Sequence, residues 1–173
     1  MPSVPITIIC DTLEKKPLPI PAFHVCWDQG SSVCGARLQT LPVRVIQQAL
    51  PTGDYALQGH EKNTLIERKA SWRELSGNLL TTEGRRRFTA CLVRLRSECS
   101  NPILFLEGDI SSYAAPTRDC NPVAARDILL HTLLEHRVPL MTFPTGTPAQ
   151  RRTAAEWVVS ILHLNACYTP ATP

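Results

Sequence analysis

Runs of apolar residues, separated by polar breaks, divide this chain into strands and helices. Residues 4–10 (VPITIIC) form a continuous apolar run rich in β-branched residues. A run of this kind predicts a strand that is buried on both faces of a covered sheet. Shorter apolar or alternating runs predict further strands at 43–48, 54–57, 64–69, 102–106 and 138–143.

Helices are predicted where apolar residues recur at helical spacing behind a capping signal. Ser71 with Glu74 three residues later has the form of a capping box, and residues 81–84 (TTEG) are expected to break the chain after that helix. Asn121-Pro122 and Thr147-Pro148 are typical helix starts. The predicted helices span 72–80, 85–97, 122–136 and 148–164.

The order of these elements indicates an α/β fold. A hairpin followed by alternating strands and helices is typical of a mixed central β-sheet flanked by helices on both faces. We expect residues 1–167 to form a single domain and 168–173 to be a flexible tail. Residues 15–42 are expected to be a long irregular loop, because several prolines and a Gly-Ser-Ser cluster interrupt any helix or strand period.

Residues 53–69 (GDYALQGHEKNTLIERK) predict a hairpin with a polar turn at 59–62. Residues that face one another across such a hairpin have Cβ atoms about 5 Å apart. The predicted facing pairs are Leu57 with Thr64 and Asp54 with Glu67.

The second strand of this hairpin ends in Glu67-Arg68-Lys69. Side chains alternate along a strand, so Glu67 and Lys69 project to one face and Arg68 to the other. Asp54, Glu67 and Lys69 should therefore converge, and two carboxylates with an ammonium suit a magnesium-dependent phosphodiesterase. The alternative is a solvated strand face, but the paired Asp54 and the apolar run Leu65-Ile66 before these charges argue against it.

Asp11 follows directly on the buried strand 4–10. A strand end holds such a carboxylate at the sheet edge, which makes it a further candidate ligand. The alternative is that Asp11 only caps the turn into residues 15–17.

The net charge of +3 is modest, so composition alone does not indicate a nucleic-acid-binding protein. The positions of the arginines do point to nucleic-acid binding. The helix at 85–97 has one apolar face and many arginines elsewhere, which repel one another unless an anion faces them. Either this is a solvated basic face or it binds DNA phosphates, and the residues predicted to bind DNA are Arg85, Arg86, Arg87 and Arg94.

Cysteine content and hydropathy indicate an intracellular protein. No apolar run approaches about 18 residues and no secretion signal begins the sequence, so neither membrane contact nor secretion is expected. The seven cysteines are expected to be reduced. His24, Cys26 and Cys34 could bind zinc, but their spacing matches no finger or ribbon and no clear fourth ligand follows. The later histidines are expected to be surface or core residues: His131, His136 and His163.

Taken together, the motifs between residues 6 and 109 resemble the nuclease domain of the XPF family of structure-specific endonucleases, within the restriction-endonuclease-like group. The residues that carry the resemblance are Ile8-Ile9-Cys10-Asp11 with Glu14, Gly53-Asp54-Tyr55, Glu67-Arg68-Lys69, Leu75 and Leu79, Arg87-Phe88, and residues 102–108 (PILFLEG).

This resemblance implies a restriction-endonuclease-like fold and specific roles for the site residues. Asp11, Asp54 and Glu67 would bind Mg²⁺ (or Mn²⁺), and Lys69 would position water or stabilise charge. Glu14 and Arg68 would be accessory active-site residues. The chain departs from the family pattern at Leu13, where an arginine is usual, and at Arg73, where an aspartate is usual.

The implied activity is the hydrolysis of phosphodiester bonds in branched or junction DNA (flap, fork or Holliday junction), in repair or recombination. The resemblance also implies a homodimer that pairs through the late helices. We expect a small standalone, phage-type version, because no residues remain here for the helix-hairpin-helix domain that often follows. The alternative is a catalytically lapsed DNA-binding or protein-interaction module with the same fold.

Overall fold

The computed structural model describes residues 5–27, 38–109 and 121–168. The strands are β1 (Ile6–Cys10), β2 (Phe23–Trp27), β3 (Leu38–Gln47), β4 (Tyr55–Leu57), β5 (Thr64–Lys69), β6 (Asn101–Glu107) and β7 (Leu140–Phe143). The helices are α1 (Trp72–Leu80), α2 (Thr82–Glu98), α3 (Pro122–His136) and α4 (Pro148–Tyr168). None of these helices has both the length and the apolar character needed to cross a bilayer.

The strands form a seven-stranded sheet in the order β2-β3-β1-β4-β5-β6-β7. β1 is parallel to β3 and antiparallel to β4, whereas β5, β6 and β7 run parallel. The predicted mixed sheet is therefore confirmed. Its central strands are buried, as the continuous apolar runs indicated.

Helices cover both faces of the sheet, which also confirms the prediction. On one face, which we call the α4 face, Val158 of α4 packs in a cluster with Ile8 and Ile66. On the other, the α1–α3 face, Leu65 packs with apolar residues of α1, α2 and α3. Neighbouring residues of β5 thus belong to opposite faces, and this alternation decides where each charged side chain of the strand lies.

The β4–β5 hairpin has the predicted register. Tyr55 lies opposite Ile66, and Ala56 lies opposite Leu65. Gly53 precedes the hairpin with a φ of 80°, a conformation that favours glycine. It directs the chain so that the Asp54 backbone N–H donates to the Ile66 carbonyl at 2.8 Å.

The prediction of an irregular loop over 15–42 is wrong at two places. β2 lies within this segment, and β3 begins at Leu38 instead of at residue 43. β2 pairs antiparallel with β3 at the edge of the sheet, where Phe23 lies opposite Pro42. Pro42 lies in the part of β3 that pairs with β2 alone, because pairing with β1 begins at Val43. A strand that is paired on one side tolerates proline, so the prolines of this segment concealed β2 and the start of β3. Cys34 lies outside the described residues.

Two helix boundaries also differ from the predictions. The side chain of Thr81 accepts a hydrogen bond from the Gly84 backbone N–H at 2.9 Å, so residues 81–84 cap and begin α2 instead of breaking the chain. α4 continues to Tyr168, beyond the predicted end at 164. Tyr168 is therefore helical and not part of a tail, while residues 169–173 lie outside the described part.

Candidate active site

The four residues predicted to form the centre of the site line one cleft at the end of the sheet. Asp11, Asp54, Glu67 and Lys69 border this cleft, which has a volume of about 460 Å³. Leu65 belongs to the α1–α3 cluster, so alternation along β5 places Glu67 and Lys69 on the same face. The cleft thus opens between the end of the sheet and α2.

Backbone hydrogen bonds hold two of the carboxylates in place. Asp11 donates its backbone N–H to the Asp54 carbonyl at 2.8 Å, which links the ends of β1 and β4. One carboxylate oxygen of Asp54, Oδ2, accepts the Arg68 backbone N–H at 2.7 Å. The predicted pairing of Asp54 with the end of β5 is therefore realised by a direct contact.

The carboxylate of Asp54 lies in an unfavourable electrostatic environment. Burial, followed by the nearby charge of Glu67, raises the pKa of Asp54 to about 7, while the Arg68 N–H acts in the opposite direction. Two carboxylates so placed compete for one proton. A divalent cation would relieve this repulsion, so Asp54 and Glu67 fit a metal site of hard oxygen ligands.

Lys69 forms ion pairs with Glu67 and with Glu74. Its Nζ donates to Glu67 Oε1 at 2.7 Å and lies 3.8 Å from Glu74 Oε1. Burial acts to lower the pKa of Lys69, but the charge of Glu67, the hydrogen bond to it and the charge of Glu74 together raise the pKa above its ordinary value. The ammonium is therefore charged and directed towards the cleft.

Asp11 borders the cleft, but its carboxylate also supports the neighbouring loops. Oδ1 accepts the Leu50 N–H at 2.8 Å and Oδ2 accepts the Leu13 N–H at 3.1 Å. Among the described residues, the ligand oxygens of Asp11, Asp54 and Glu67 do not all lie within 4.8 Å of one another. Each carboxylate oxygen keeps a further lone pair, so the three acids together still fit a hard cation.

Arg68 and Glu14 lie on the opposite side of β5 from Lys69. The side chains of Arg68 and Glu107 are each 4% exposed, and they form an ion pair through Glu107 Oε1. Arg68 Nη1 also contacts Glu14 Oε2 at 3.0 Å, and Arg151 of α4 contacts Glu107 Oε2 at 3.1 Å. This buried ion cluster, formed by Glu14, Arg68, Glu107 and Arg151, joins the sheet to α4.

Sequence reasoning did not identify Glu107 as a partner of Arg68, or Arg151 as a partner of Glu107. Glu107 was visible as the end of an apolar strand and as part of the motif PILFLEG, whereas no motif surrounds Arg151. The sequence marks Glu74 as the capping-box partner of Ser71 but not as part of the site, where its Oε2 accepts the Ala70 N–H at 2.9 Å and its Oε1 faces Lys69. A charged residue at the end of a buried strand, inside the motif PILFLEG, was the available signal for Glu107.

The arginines of α2 fall into two groups. Arg87 and Arg94 lie two helical turns apart and line the same cleft as Glu67 and Lys69, but Arg85 and Arg86 do not. Arg86 instead forms two hydrogen bonds to Glu83, at 2.9 and 2.8 Å. Of the predicted DNA-binding arginines, two therefore face the candidate site.

The raised pKa of Asp54 predicts a pH-dependent stability of the metal-free protein. The pKa of Asp54 in the folded protein, about 7, lies above the ordinary value of 3.8. Ionisation of Asp54 therefore does not lower the free energy of unfolding below pH 4, but lowers it increasingly as the pH rises to 7. Asp54→Asn should therefore raise Tm by about 5 °C at pH 8 in EDTA. The difference should vanish near pH 4. Thermal denaturation at both pH values measures it.

Asp127→Asn on the exposed surface of α3 is the control for this comparison. It should change Tm equally little at both pH values. Equal Tm values of Asp54→Asn and wild type at pH 8 in EDTA would contradict the electrostatic interpretation of Asp54.

The sequence model of the ERCC4 domain family matches residues 18–158. A solved structure of XPF from Aeropyrum pernix superposes with a TM-score of 0.61 at 18% identity, covering 94% of this chain and 66% of that one. XPF from Aeropyrum pernix in complex with DNA gives a TM-score of 0.59 at 20% identity, covering 96% and 68%. The chain thus spans about two thirds of the length of these solved chains. No curated protein sequence matches.

Proposed function

Since this chain belongs to the ERCC4 domain family, we propose that it is a DNA endonuclease that hydrolyses phosphodiester bonds with a divalent cation. The observation that supports the proposal most is the cleft in which Asp54, Glu67 and Lys69 meet beside the arginines of α2. Carboxylates for a cation, an ammonium for developing charge and guanidinium groups for phosphates are the components that this reaction requires.

Asp54 and Glu67 would hold Mg²⁺ or Mn²⁺, with Asp11 as a third ligand. The cation, when bound, polarises a phosphoryl oxygen and lowers the pKa of a bound water. Lys69 is held charged by Glu67 at 2.7 Å. From this position its ammonium would orient the attacking water and neutralise negative charge that develops on the phosphoryl oxygens.

The proposed substrate is branched or junction DNA, in repair or recombination. One of the solved XPF chains of the same fold is in complex with DNA, and the basic side of the cleft supports a phosphate backbone as the ligand. A DNA substrate also implies an intracellular location.

Flap, fork and four-way-junction DNA test the proposed function, with unbranched duplex as the comparison. With Mg²⁺ or Mn²⁺, the purified protein should cleave the branched molecules faster than the duplex, and EDTA should abolish cleavage. Cleavage that is unaffected by EDTA, or no cleavage of any substrate with either metal, would overturn the proposal.

Arg87 and Arg94 should contribute more to DNA binding than Arg86. Each phosphate contact that is removed lowers the slope of log affinity against log salt by about 1. We therefore expect Arg94→Ala or Arg87→Ala to weaken junction binding several-fold with this change in slope. Arg86 is engaged with Glu83, and Arg86→Ala is the matched control with a smaller effect. Fluorescence anisotropy at several salt concentrations measures both quantities, and equal effects of the three variants would contradict the assignment.

A homodimer through the late helices is also proposed. Leu134 of α3 is 77% exposed and Trp157 of α4 is 50% exposed, and exposed large apolar side chains support a contact between subunits. Light scattering at micromolar concentration tests this, and a monomeric mass would exclude the dimer at that concentration.

A further inference from the structure

A second group of metal-binding side chains lies between β2 and α4. His24 and Cys26 are two residues apart on β2 and share a face; they are 5% and 8% exposed, while Phe23 and Val25 are exposed. His163 of α4 lies against them, with its ring centroid 5.5 Å from that of His24 and the rings nearly perpendicular. One ligand atom from each of these three residues lies within 4.8 Å of the others.

The two histidines carry buried nitrogens that lack hydrogen-bond partners. Within the described part of the chain, neither Nε2 of His24 nor Nδ1 of His163 has a hydrogen-bond partner. A buried polar atom without a partner is costly and uncommon in folded proteins, so these atoms require an explanation. A cation that accepts their lone pairs would supply the missing interaction.

The protonation states also suit a metal. Burial lowers the pKa of His24 and of His163, and their proximity lowers that of His24 further. Both rings are therefore neutral at pH 7, which is the form that binds metal ions.

From this geometry, we propose that His24, Cys26 and His163 form a zinc site that joins β2 to α4. A thiolate and two imidazoles favour zinc, whereas the carboxylates of the cleft favour Mg²⁺ or Mn²⁺. Ligand atoms around tetrahedral zinc lie about 3.3–3.8 Å apart. The present separations are within 4.8 Å, so side-chain rotations of at most about 1–1.5 Å would complete the site. Water or another donor takes the fourth position, and Cys26 releases its thiol proton to solvent when zinc binds.

The site would stabilise the edge of the sheet. Of the strands in the described residues, β2 pairs with β3 alone, so its attachment depends on that pairing and on contacts with α4. Zinc would link this edge strand to the helix that covers the adjacent face of the sheet. Because zinc would bind the folded state alone, it should raise the stability of the whole domain.

The sequence alone does not favour a zinc site at His24, Cys26 and Cys34, because no clear fourth ligand follows them. His163 comes from the last helix of the chain, and only the packing of α4 beside β2 brings it to the other two residues. The proposed site thus retains two of the three residues and replaces the third.

Cobalt titration of the metal-free protein tests the site. Protein stripped with EDTA and dialysed into excess Mg²⁺ should bind a single equivalent of Co²⁺ with a thiolate-to-cobalt charge-transfer band. Zn²⁺ should displace it and raise Tm. The carboxylate cleft cannot produce this band through oxygen ligands, which separates the two sites.

Cys26→Ser should abolish the band and His163→Gln should weaken it, and each should lower zinc affinity at least about tenfold. Cys91 lies beside Glu67 in the other cleft, so Cys91→Ser is the matched control and should keep the band. Tm with and without zinc shows whether each variant folds. The proposal is overturned if the wild type shows no band, or if the band survives Cys26→Ser.

Discussion

Glu67→Gln or Asp54→Asn is expected to lower the rate of junction cleavage on the order of 10³-fold, with little change in DNA affinity. Both substitutions keep the size of the side chain and remove the negative charge that would hold the cation. Glu67→Gln also removes the carboxylate that binds Lys69 Nζ at 2.7 Å. Single-turnover cleavage with Mg²⁺ measures the rate, and anisotropy measures binding.

Glu135→Gln is the matched control, because Glu135 is an exposed carboxylate on α3. It should leave the cleavage rate within about twofold, as expected for a surface substitution. Lys69→Met should lower the rate on the order of 10²-fold or more without removing a metal ligand. If the wild-type protein binds junctions but cleaves none, the lapsed DNA-binding module is favoured. If Glu67→Gln keeps full activity, the assigned site is wrong.

Arg68→Met is expected to lower the free energy of unfolding by about 3–5 kcal/mol, because it leaves the buried carboxylate of Glu14 without its cation and that of Glu107 with Arg151 alone. Glu107 is 4% exposed and Glu14 is 10% exposed at the side chain, so neither can be solvated in place. Arg151 would remain near Glu107 but does not reach Glu14 in the cluster. Urea denaturation, with the change in Tm as a second measurement, quantifies the loss.

The surface pair Lys62–Glu98 provides the comparison. These side chains are 79% and 35% exposed and 2.6 Å apart, so Lys62→Met should cost less than about 1 kcal/mol. The resemblance implies that Arg68 is instead an accessory active-site residue. That role would be favoured if Arg68→Met unfolds at the same urea concentration as the wild type but cleaves more slowly.

The register of the β4–β5 hairpin could be predicted because both strands are short and the turn between them is clearly polar. The position of the turn therefore determined every facing pair, and the contact of Asp54 with the end of β5 followed from it. The strand β2 could not be predicted in this way. Its edge position leaves apolar residues of the strand exposed, and several prolines closely precede it in the chain, so its local pattern resembles that of a loop.

The sequence by itself determined the mixed sheet, the helices on both faces and the convergence of Asp54, Glu67 and Lys69. These features depend on local periodicity, since a side chain's face follows directly from its position in the strand. Only the tertiary structure decided which side chains each face of the sheet contacts. It gave Arg68 buried partners from β6 and the loop after β1, and it placed His163 of α4 beside His24. Such contacts join residues that are far apart in the chain, and their geometry is set by how helices pack on the sheet, which no local pattern records.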